Sequence, residues 1–336
     1  MFPFGSLPAV GRRRSTLCGA ILAAATAGAL AVAVGAGPAL AGGAWAGCGD
    51  PTGEEQQFME LLNAARANPT AAQRQLGVDL TAGGRFQLSP RPPLVGNARL
   101  IEAARGHSRD MNDLAFFGHR NPRGQMAGER IRTAGYNWLG YSENLAASFS
   151  NPHEALRELL IDEGVPDLGH RVSLLGLSEQ TAHLDEIGIG IHAGNGPYRK
   201  YYSLELATDS EPDPFVTGVV YRDQNGNSVY DPGEGIPGVH VQVGTDGEAI
   251  TNKAGGYGAR APEAGSYVVT AGGTTLGSTL QAAVQVGRQN VKLDFVVRPA
   301  PRMAQASPGR GGVAGANAGA NMRVAATRSP ARPVSR

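Results

Sequence analysis

His107-Ser108-Arg109-Asp110-Met111, Phe116-Phe117-Gly118-His119, Ser142-Glu143-Asn144-Leu145-Ala146, Gly169-His170-Arg171 and Glu186-Ile187-Gly188-Ile189-Gly190 follow one another through the middle of a 336-residue chain. Working outward from them, Asn97–Leu114 is a predicted helix, with Leu100, Ala103, Ala104, His107, Met111 and Leu114 on one stripe. Ile187–His192 alternates and Tyr198–Ala207 runs apolar, which predicts strands. Glu54–Ala67 is a second predicted helix, with Phe58, Leu61, Leu62 and Ala65 at helical spacing and acids in its first turn. Asn68-Pro69 stops it, and Pro69–Leu76, Gly128–Ala134 and Pro152–Ile161 are shorter helices. The Gly/Pro-rich stretch 83–93 is a loop. Helices around a few strands predict an α+β layered domain over residues 52–210.

Beyond the stiff linker Glu211-Pro212-Asp213-Pro214 the pattern changes. Val216–Tyr221, Val239–Val243, Tyr267–Ala271 and Val291–Val297 are strand-like runs separated by glycine-rich turns, as in a small all-β sandwich over 215–298. From 299 to 336 the chain is Pro, Ala, Gly, Arg and Ser with almost no large apolar residue. Such a segment cannot bury enough surface to offset chain entropy and is predicted to be a disordered tail.

At the other end, Arg12-Arg13-Arg14 precedes an apolar run from Leu17 to Val34 and then Ala39-Leu40-Ala41. Basic flank, apolar run and small-residue site in that order are those of a secretory signal peptide over 1–41, with no transmembrane segment left once it is removed. Arg13-Arg14 gives the leader a faint twin-arginine character. Trp45-Ala46-Gly47-Cys48 ends like a lipidation box, with Trp where an aliphatic residue is usual. The cysteines are Cys18 and Cys48, so a chain cut after Ala41 keeps one and forms no internal disulfide. A formal net charge of +1 provides no general attraction to nucleic acid, which is excluded as a partner, or to a membrane surface.

The five central motifs, in this order and spacing, resemble the bacterial SCP-like branch of the CAP superfamily across most of 52–209. The resemblance implies a three-layer α-β-α sandwich with a cleft holding two histidines and two acids. It assigns His119 as the first cleft histidine, Glu143 as the first acid and His170 as the second histidine. For the second acid, Asp162 and Glu163 in Asp162-Glu163-Gly164-Val165 are candidates, and Glu158 is another by position. Ser142 stands where the family usually has glycine. Two imidazoles and two carboxylates in one cleft suit a borderline cation such as zinc, whose bound water is a potential nucleophile. Without metal, a His/Glu pair is an acid–base couple near neutral pH. His107, on the apolar stripe, is read as structural, and Arg171 either covers the cleft or bonds a helix end.

The run Asp223-Gln224-Asn225-Gly226-Asn227-Ser228-Val229-Tyr230-Asp231-Pro232-Gly233-Glu234 places side-chain oxygens at loop positions 1, 3, 5, 9 and 12, with the Val229 carbonyl at 7. That is the spacing of an EF-hand calcium loop, although strands rather than helices flank it and Ser228 replaces the usual glycine at position 6. With its flanks, the run resembles SdrD B-like (Cna B-type) repeats, which implies an Ig-like sandwich over 215–298. The expected calcium ligands are Asp223, Asn225, Asn227, Val229, Asp231 and Glu234, with affinity on the order of 10⁻⁴ M or tighter.

Three functions fit: a secreted or envelope protein whose cleft binds a metal ion and an extracellular lipid, glycan or protein; a metal-assisted, protease-like hydrolase using His119, His170 and Glu143; or a surface adhesin acting through the β-module.

Overall fold

The computed structural model describes residues 50–210 and 213–298. The expected signal peptide, both cysteines, part of the linker and the expected C-terminal tail lie outside the described residues.

Helix α1 (Gly53–Ala67) opens with a reciprocal cap. The Thr52 hydroxyl accepts from the Glu55 amide, and the Glu55 carboxylate accepts from the Thr52 amide. Asn68 ends α1 and caps α2 (Pro69–Leu76), with Pro69 at the first helical position where a missing N–H costs nothing. Helices α3 (Ala98–Asp113), α4 (Ala127–Thr133), α5 (Pro152–Ile161), α6 (Gly169–Leu175) and α7 (Glu179–Ala182) complete the helical set. They sandwich one sheet of order β1 (Val95–Gly96), β3 (Glu186–Ala193), β4 (Lys200–Thr208), β2 (Gly140–Ala147). Only β1 and β3 are parallel.

Alternation along β4 decides what each face meets. Tyr202, Leu204 and Leu206 join Phe58 and Leu62 of α1, Leu156 and Leu159 of α5 and Leu174 of α6 in one core. Tyr201 and Ala207 turn the other way, toward Met111 and Leu100 of α3. On that face the helix lies almost on the backbone of β3. A Cβ at Gly188 would meet the Leu100 carbonyl carbon at 2.0 Å, and one at Gly190 the Arg105 nitrogen at 2.2 Å. The Ser108 hydroxyl, bonded to the Gly190 carbonyl and to Ser203, fastens the same contact.

The C-terminal module has two sheets around a single core. One has the order β10 (Leu280–Val286), β9 (Gly265–Gly272), β6 (His240–Val243), β7 (Gly247–Ile250). In the other, β5 (Phe215–Arg222) pairs with β8 (Gly256–Arg260), β11 (Val291–Lys292) and β12 (Phe295–Val297). Val216, Tyr257 and Phe295 from the second sheet pack with Val241, Val269 and Val284 from the first. The run expected as one strand over Val291–Val297 is broken at Leu293–Asp294, where the chain presses on Gly218: a Cβ there would sit 1.8 Å from the Leu293 carbonyl oxygen.

Candidate functional site

Glu143 sits at the centre of β2, opposite Glu205 of β4. Its side chain is 3% exposed. One carboxylate oxygen lies 2.7 Å from His119 Nδ1, and the other takes a charge-assisted hydrogen bond from Arg130 of α4. Arg130 also donates to the His119 carbonyl, which holds the loop bearing His119 against α4, and it stands 3.9 Å from Glu205. Burial drives the Glu143 pKa up, but the His119 hydrogen bond and the charge of Arg130 outweigh it, so the group stays below its ordinary value. Glu205 is the reverse case. It is fully buried, and burial together with the charge of Glu143 raises its pKa well above the ordinary value. Burial and the neighbouring Glu143 charge thus favour the neutral form of Glu205.

His107 belongs to this cluster without being available to a ligand. It is fully buried, its Nε2 bonds the Gly118 carbonyl at 3.0 Å, and burial lowers its pKa to about 4. It is a neutral packing residue 3.7 Å from Glu143, as the apolar stripe implied.

The second pair lies on the other side of the edge strand. Side chains of β2 alternate, so while Glu143 faces α4, Ser142 and Asn144 face α6 and bond Ser173. The serine in place of the usual glycine thus ties β2 to the helix that carries His170. His170 Nδ1 lies 2.7 Å from Asp162, whose second oxygen accepts from the His170 and Arg171 amides. Asp162 can do both because it ends α5 in the left-handed conformation, φ 56°, which turns its carboxylate into the start of α6. Among the three candidates for the second acid, Asp162 is the one in contact with a cleft histidine. Glu158 pairs with Arg157 on the surface, and Glu163 is exposed. Arg171 bonds the Leu160 and Ile161 carbonyls at the end of α5, which settles its role as a helix-end clamp.

The expected site residues thus form two hydrogen-bonded pairs, His119–Glu143 and His170–Asp162. His119 is 50% and His170 27% exposed, over carboxylates that are 3% and 2% exposed. No hydrogen bond among the described residues engages Nε2 of either ring. Nor, among the described residues, do three or more His, Cys, Asp or Glu side chains stand in metal-holding geometry. Sequence reasoning missed Arg130 and Glu205. Arg130 lay unremarked in a predicted helix. Glu205 carried a signal, since it is a lone carboxylate in the apolar run Tyr201–Ala207 and a charge in a buried strand needs partners.

In the β-module, the side-chain oxygens expected to bind calcium are engaged by N–H groups, mostly of the loop itself. Asp223 accepts from the Gly226 and Ser228 amides, Asn225 from Asn227, Asn227 from Val229, and Glu234 from Gln224 and Asp231. Asp231 takes the side-chain amides of Asn225 and Asn227 and that of Gln57 on α1. Asp223 and Glu234 are buried. Ser228 has φ 62°, the left-handed conformation that glycine usually supplies at position 6.

The family model described as CAP, the cysteine-rich secretory protein family, matches residues 59–202. Three solved structures resemble the chain. An extracellular protein with an SCP domain from Bacillus anthracis is 25% identical, covering 47% of this chain and 41% of that one, at a TM-score of 0.31. An outer surface protein from Borrelia burgdorferi is 14% identical, over 46% of this chain and 95% of its own, at 0.32. A cysteine-rich secretory protein from Staphylococcus aureus is 16% identical, over 46% and 38%, at 0.30. The chain therefore spans less than half the length of the Bacillus and Staphylococcus proteins. No curated protein sequence matches it.

Proposed function

Residues 59–202 are a CAP domain, and we propose that the chain is an exported protein whose two carboxylate-held histidines, His119 and His170, present Nε2 to an extracellular ligand or metal ion. One observation carries the reading: each histidine is partly exposed while the acid on its Nδ1 is buried. An acid in that place keeps the proton on Nδ1, fixes the ring and makes Nε2 the basic, outward atom. Export is supported by the leader-like order of Arg12–Arg14, the apolar run and Ala39-Leu40-Ala41. No helix of the described residues is long and apolar enough to cross a membrane.

Each ring is a donor of the kind zinc takes, with a buried carboxylate on its other nitrogen, and a zinc ion held there would need water or ligand to complete its set. When bound, such an ion polarises a ligand oxygen. The chain's own contribution is to hold the rings, and Glu143 and Asp162 do this as orienting acids rather than as ligands. Arg130 favours the ionised form of Glu143, beside which the buried Glu205 lies on the next strand. The ligand itself is a lipid, glycan or protein met outside the cell. A hydrolase would use the same His119–Glu143 pair as general base. The β-module, read as SdrD B-like, would be fixed by calcium in the 223–234 loop, where Asp223 and Glu234 supply two buried carboxylates.

Elemental analysis of the purified protein after zinc equilibration tests the cleft. Wild type should retain zinc and the His119→Ala/His170→Ala double variant should lose it; equal retention rejects the shared site. Peptide hydrolysis that survives Glu143→Gln removes that acid from any mechanism. A melting temperature indifferent to calcium and to chelator rejects the loop ion.

A further inference from the structure

Strand β2 ends its sheet and is bonded on one side alone, by β4. The ladder decides which of its main-chain groups point outward. On β4, the Lys200 carbonyl accepts from the Ser148 amide beyond the end of β2, and the Arg199 carbonyl accepts from the Gly194 amide beyond the end of β3. Even-numbered residues of β4 therefore serve β2, so Ser142, Asn144 and Ala146, opposite Leu206, Leu204 and Tyr202, spend their N–H and C=O groups in the ladder. Those of Tyr141 and Glu143 point away from the sheet. No hydrogen bond among the described residues engages them.

This stretch of edge is open to solvent. The Glu143 side chain is 3% exposed, yet the residue as a whole is only partly buried, so what solvent reaches there is main chain. Tyr141 is exposed. Across the sheet the same kind of gap is closed: where β1 stops short, the outward amide of Ile191 on β3 donates to the Glu55 carboxylate at 3.1 Å. An open edge is a template for a further strand. Its α4 side is cationic. Residues 114–133 hold Arg120, Arg123, Arg130 and Arg132, with Glu129 the single acid among them. Arg130 is paired with Glu143, and Glu129 caps α4 by accepting from the Met126 amide. Arg120, next to His119, bonds the Gly124 carbonyl and no acid, and Arg123, 69% exposed, reaches Asp110 only at 4.0 Å.

We infer that the free edge of β2 beside His119 takes up an extended peptide as an added strand, with acidic side chains on its α4 side. Outward N–H and C=O groups that recur every two residues, about 6.8 Å apart, are matched by another extended main chain. Carboxylates on alternate residues of that chain meet Arg120 and Arg123, whereas a second copy of this protein would set two such arginine rims against each other. The inference rests on the reading of the histidine pairs as a ligand site and gives that ligand a chemical class.

Calorimetric titration and amide hydrogen exchange on the whole purified chain provide the test. The probe is an end-blocked hexapeptide, (Val-Glu)₃, which as a strand carries every glutamate on one face. It should bind saturably at about 1 mM or tighter, and the (Val-Lys)₃ peptide should bind more weakly. A (Val-Glu)₃ peptide N-methylated on one valine, and a second on one glutamate, cover both faces of the main chain; at least one should bind about tenfold more weakly, the effect of a lost main-chain hydrogen bond. Replacing both exposed arginines, Arg120→Gln with Arg123→Gln, should weaken (Val-Glu)₃ about fivefold, the worth of two exposed ion pairs. In the free chain the Tyr141 and Glu143 amides should exchange fast while those of Ser142 and Asn144 are protected, and (Val-Glu)₃ should slow the fast pair. The inference is overturned by no saturable binding up to about 10 mM, by undiminished binding of both N-methylated peptides, or by Tyr141 and Glu143 amides already protected in the free chain, as a covered edge or a self-paired dimer would make them. Zinc retained without peptide binding rejects the docking edge alone, and peptide bound at this edge without zinc retention rejects the metal reading of the histidines alone.

Discussion

Replacing Glu186 by glutamine should make the protein more stable at neutral pH and leave it unchanged in acid. Glu186 begins β3 and is 8% exposed. Its carboxyl lies between the Asn97 side-chain amide, at 2.9 Å, and the Tyr136 hydroxyl. Burial raises its pKa from 4.5 to about 7; the two hydrogen bonds oppose this, and the charges of Asp185 and Asp209 add to it. The folded state therefore holds a proton that the unfolded chain has already released. Below the unfolded value of 4.5 both states are protonated and nothing is lost. As pH rises from 4.5 to about 7 stability falls, by 1.36 kcal/mol for each unit of difference, which comes to about 3 kcal/mol. Above that window the loss is constant. Glutamine never ionises and can still accept from Asn97, so it escapes the loss. Asp185, raised by burial to about 6, titrates in the same window in both proteins and largely cancels in the difference. Urea unfolding followed by fluorescence, with Trp138 the tryptophan among the described residues, should give equal stabilities at pH 4 and a gap of about 3 kcal/mol in favour of the variant at pH 8. A gap that does not change with pH would refute the reasoning, because a packing effect of the amide carries no proton linkage.

Four further substitutions probe the frame of the cleft and the β-module loop. Gly190→Ala places a methyl 2.2 Å from the α3 backbone and should cost about 3 kcal/mol or more, whereas Gly106→Ala on α3 meets nothing within 4 Å and should add about 0.5–1 kcal/mol, both read by thermal melting. Arg130→Met strands the Glu143 and Glu205 carboxyls without their cation, and an urea titration at pH 7 should show a loss of about 3–5 kcal/mol that shrinks in acid as Glu143 takes up a proton. Ser228→Gly removes a left-handed non-glycine residue from the 223–234 loop and should raise stability by about 1 kcal/mol in differential scanning calorimetry; a decrease would mean that the Ser228–Arg298 hydrogen bond outweighs the backbone term.

Five of the seven helices among the described residues were legible because their signals are local; α6 and α7 were not expected. Pro69–Leu76 and Pro152–Ile161 match the expected ends, where Asn68 and Asn151 cap and Pro69 and Pro152 fix the first turn. The strand β2 was not. It is a sheet edge whose residues serve a carboxylate pair on one face and Ser173 on the other, so Ser142–Ala147 has no apolar period to read. The site divided in the same way. His119, Glu143 and His170 could be named from motifs, but which acid serves His170 depended on a left-handed backbone at Asp162, and aspartate in sequence does not announce its φ. The Glu143–Glu205 pairing is a matter of register between two strands some sixty residues apart, which no local spacing encodes.

The polar face of α1 shows most clearly what a binary pattern leaves open. By helical period, Gln56, Gln57 and Glu60 belong to the side that solvent would satisfy, yet Gln56 and Gln57 are buried and Glu60 nearly so. Gln56 donates to Glu60 on the same helix, while Asp231 and Lys292 of the β-module meet Gln57 and Glu60. Asn290 bonds the Pro93 and Asp185 carbonyls, and Asp50 accepts from the Lys253 amide. Buried polar contacts of this kind are costly when half made, so the two modules stabilise each other only in one relative placement. Asp231 joins that interface to the 223–234 loop, because the carboxylate that takes Gln57 also takes Asn225 and Asn227. Any cation drawn into the loop competes for the same oxygens, and the competition is felt at α1, one helix away from the core that positions His119 and His170. Asp231 is thus one of several groups that join the β-module to α1, and a charge change there is a packing change at the helix.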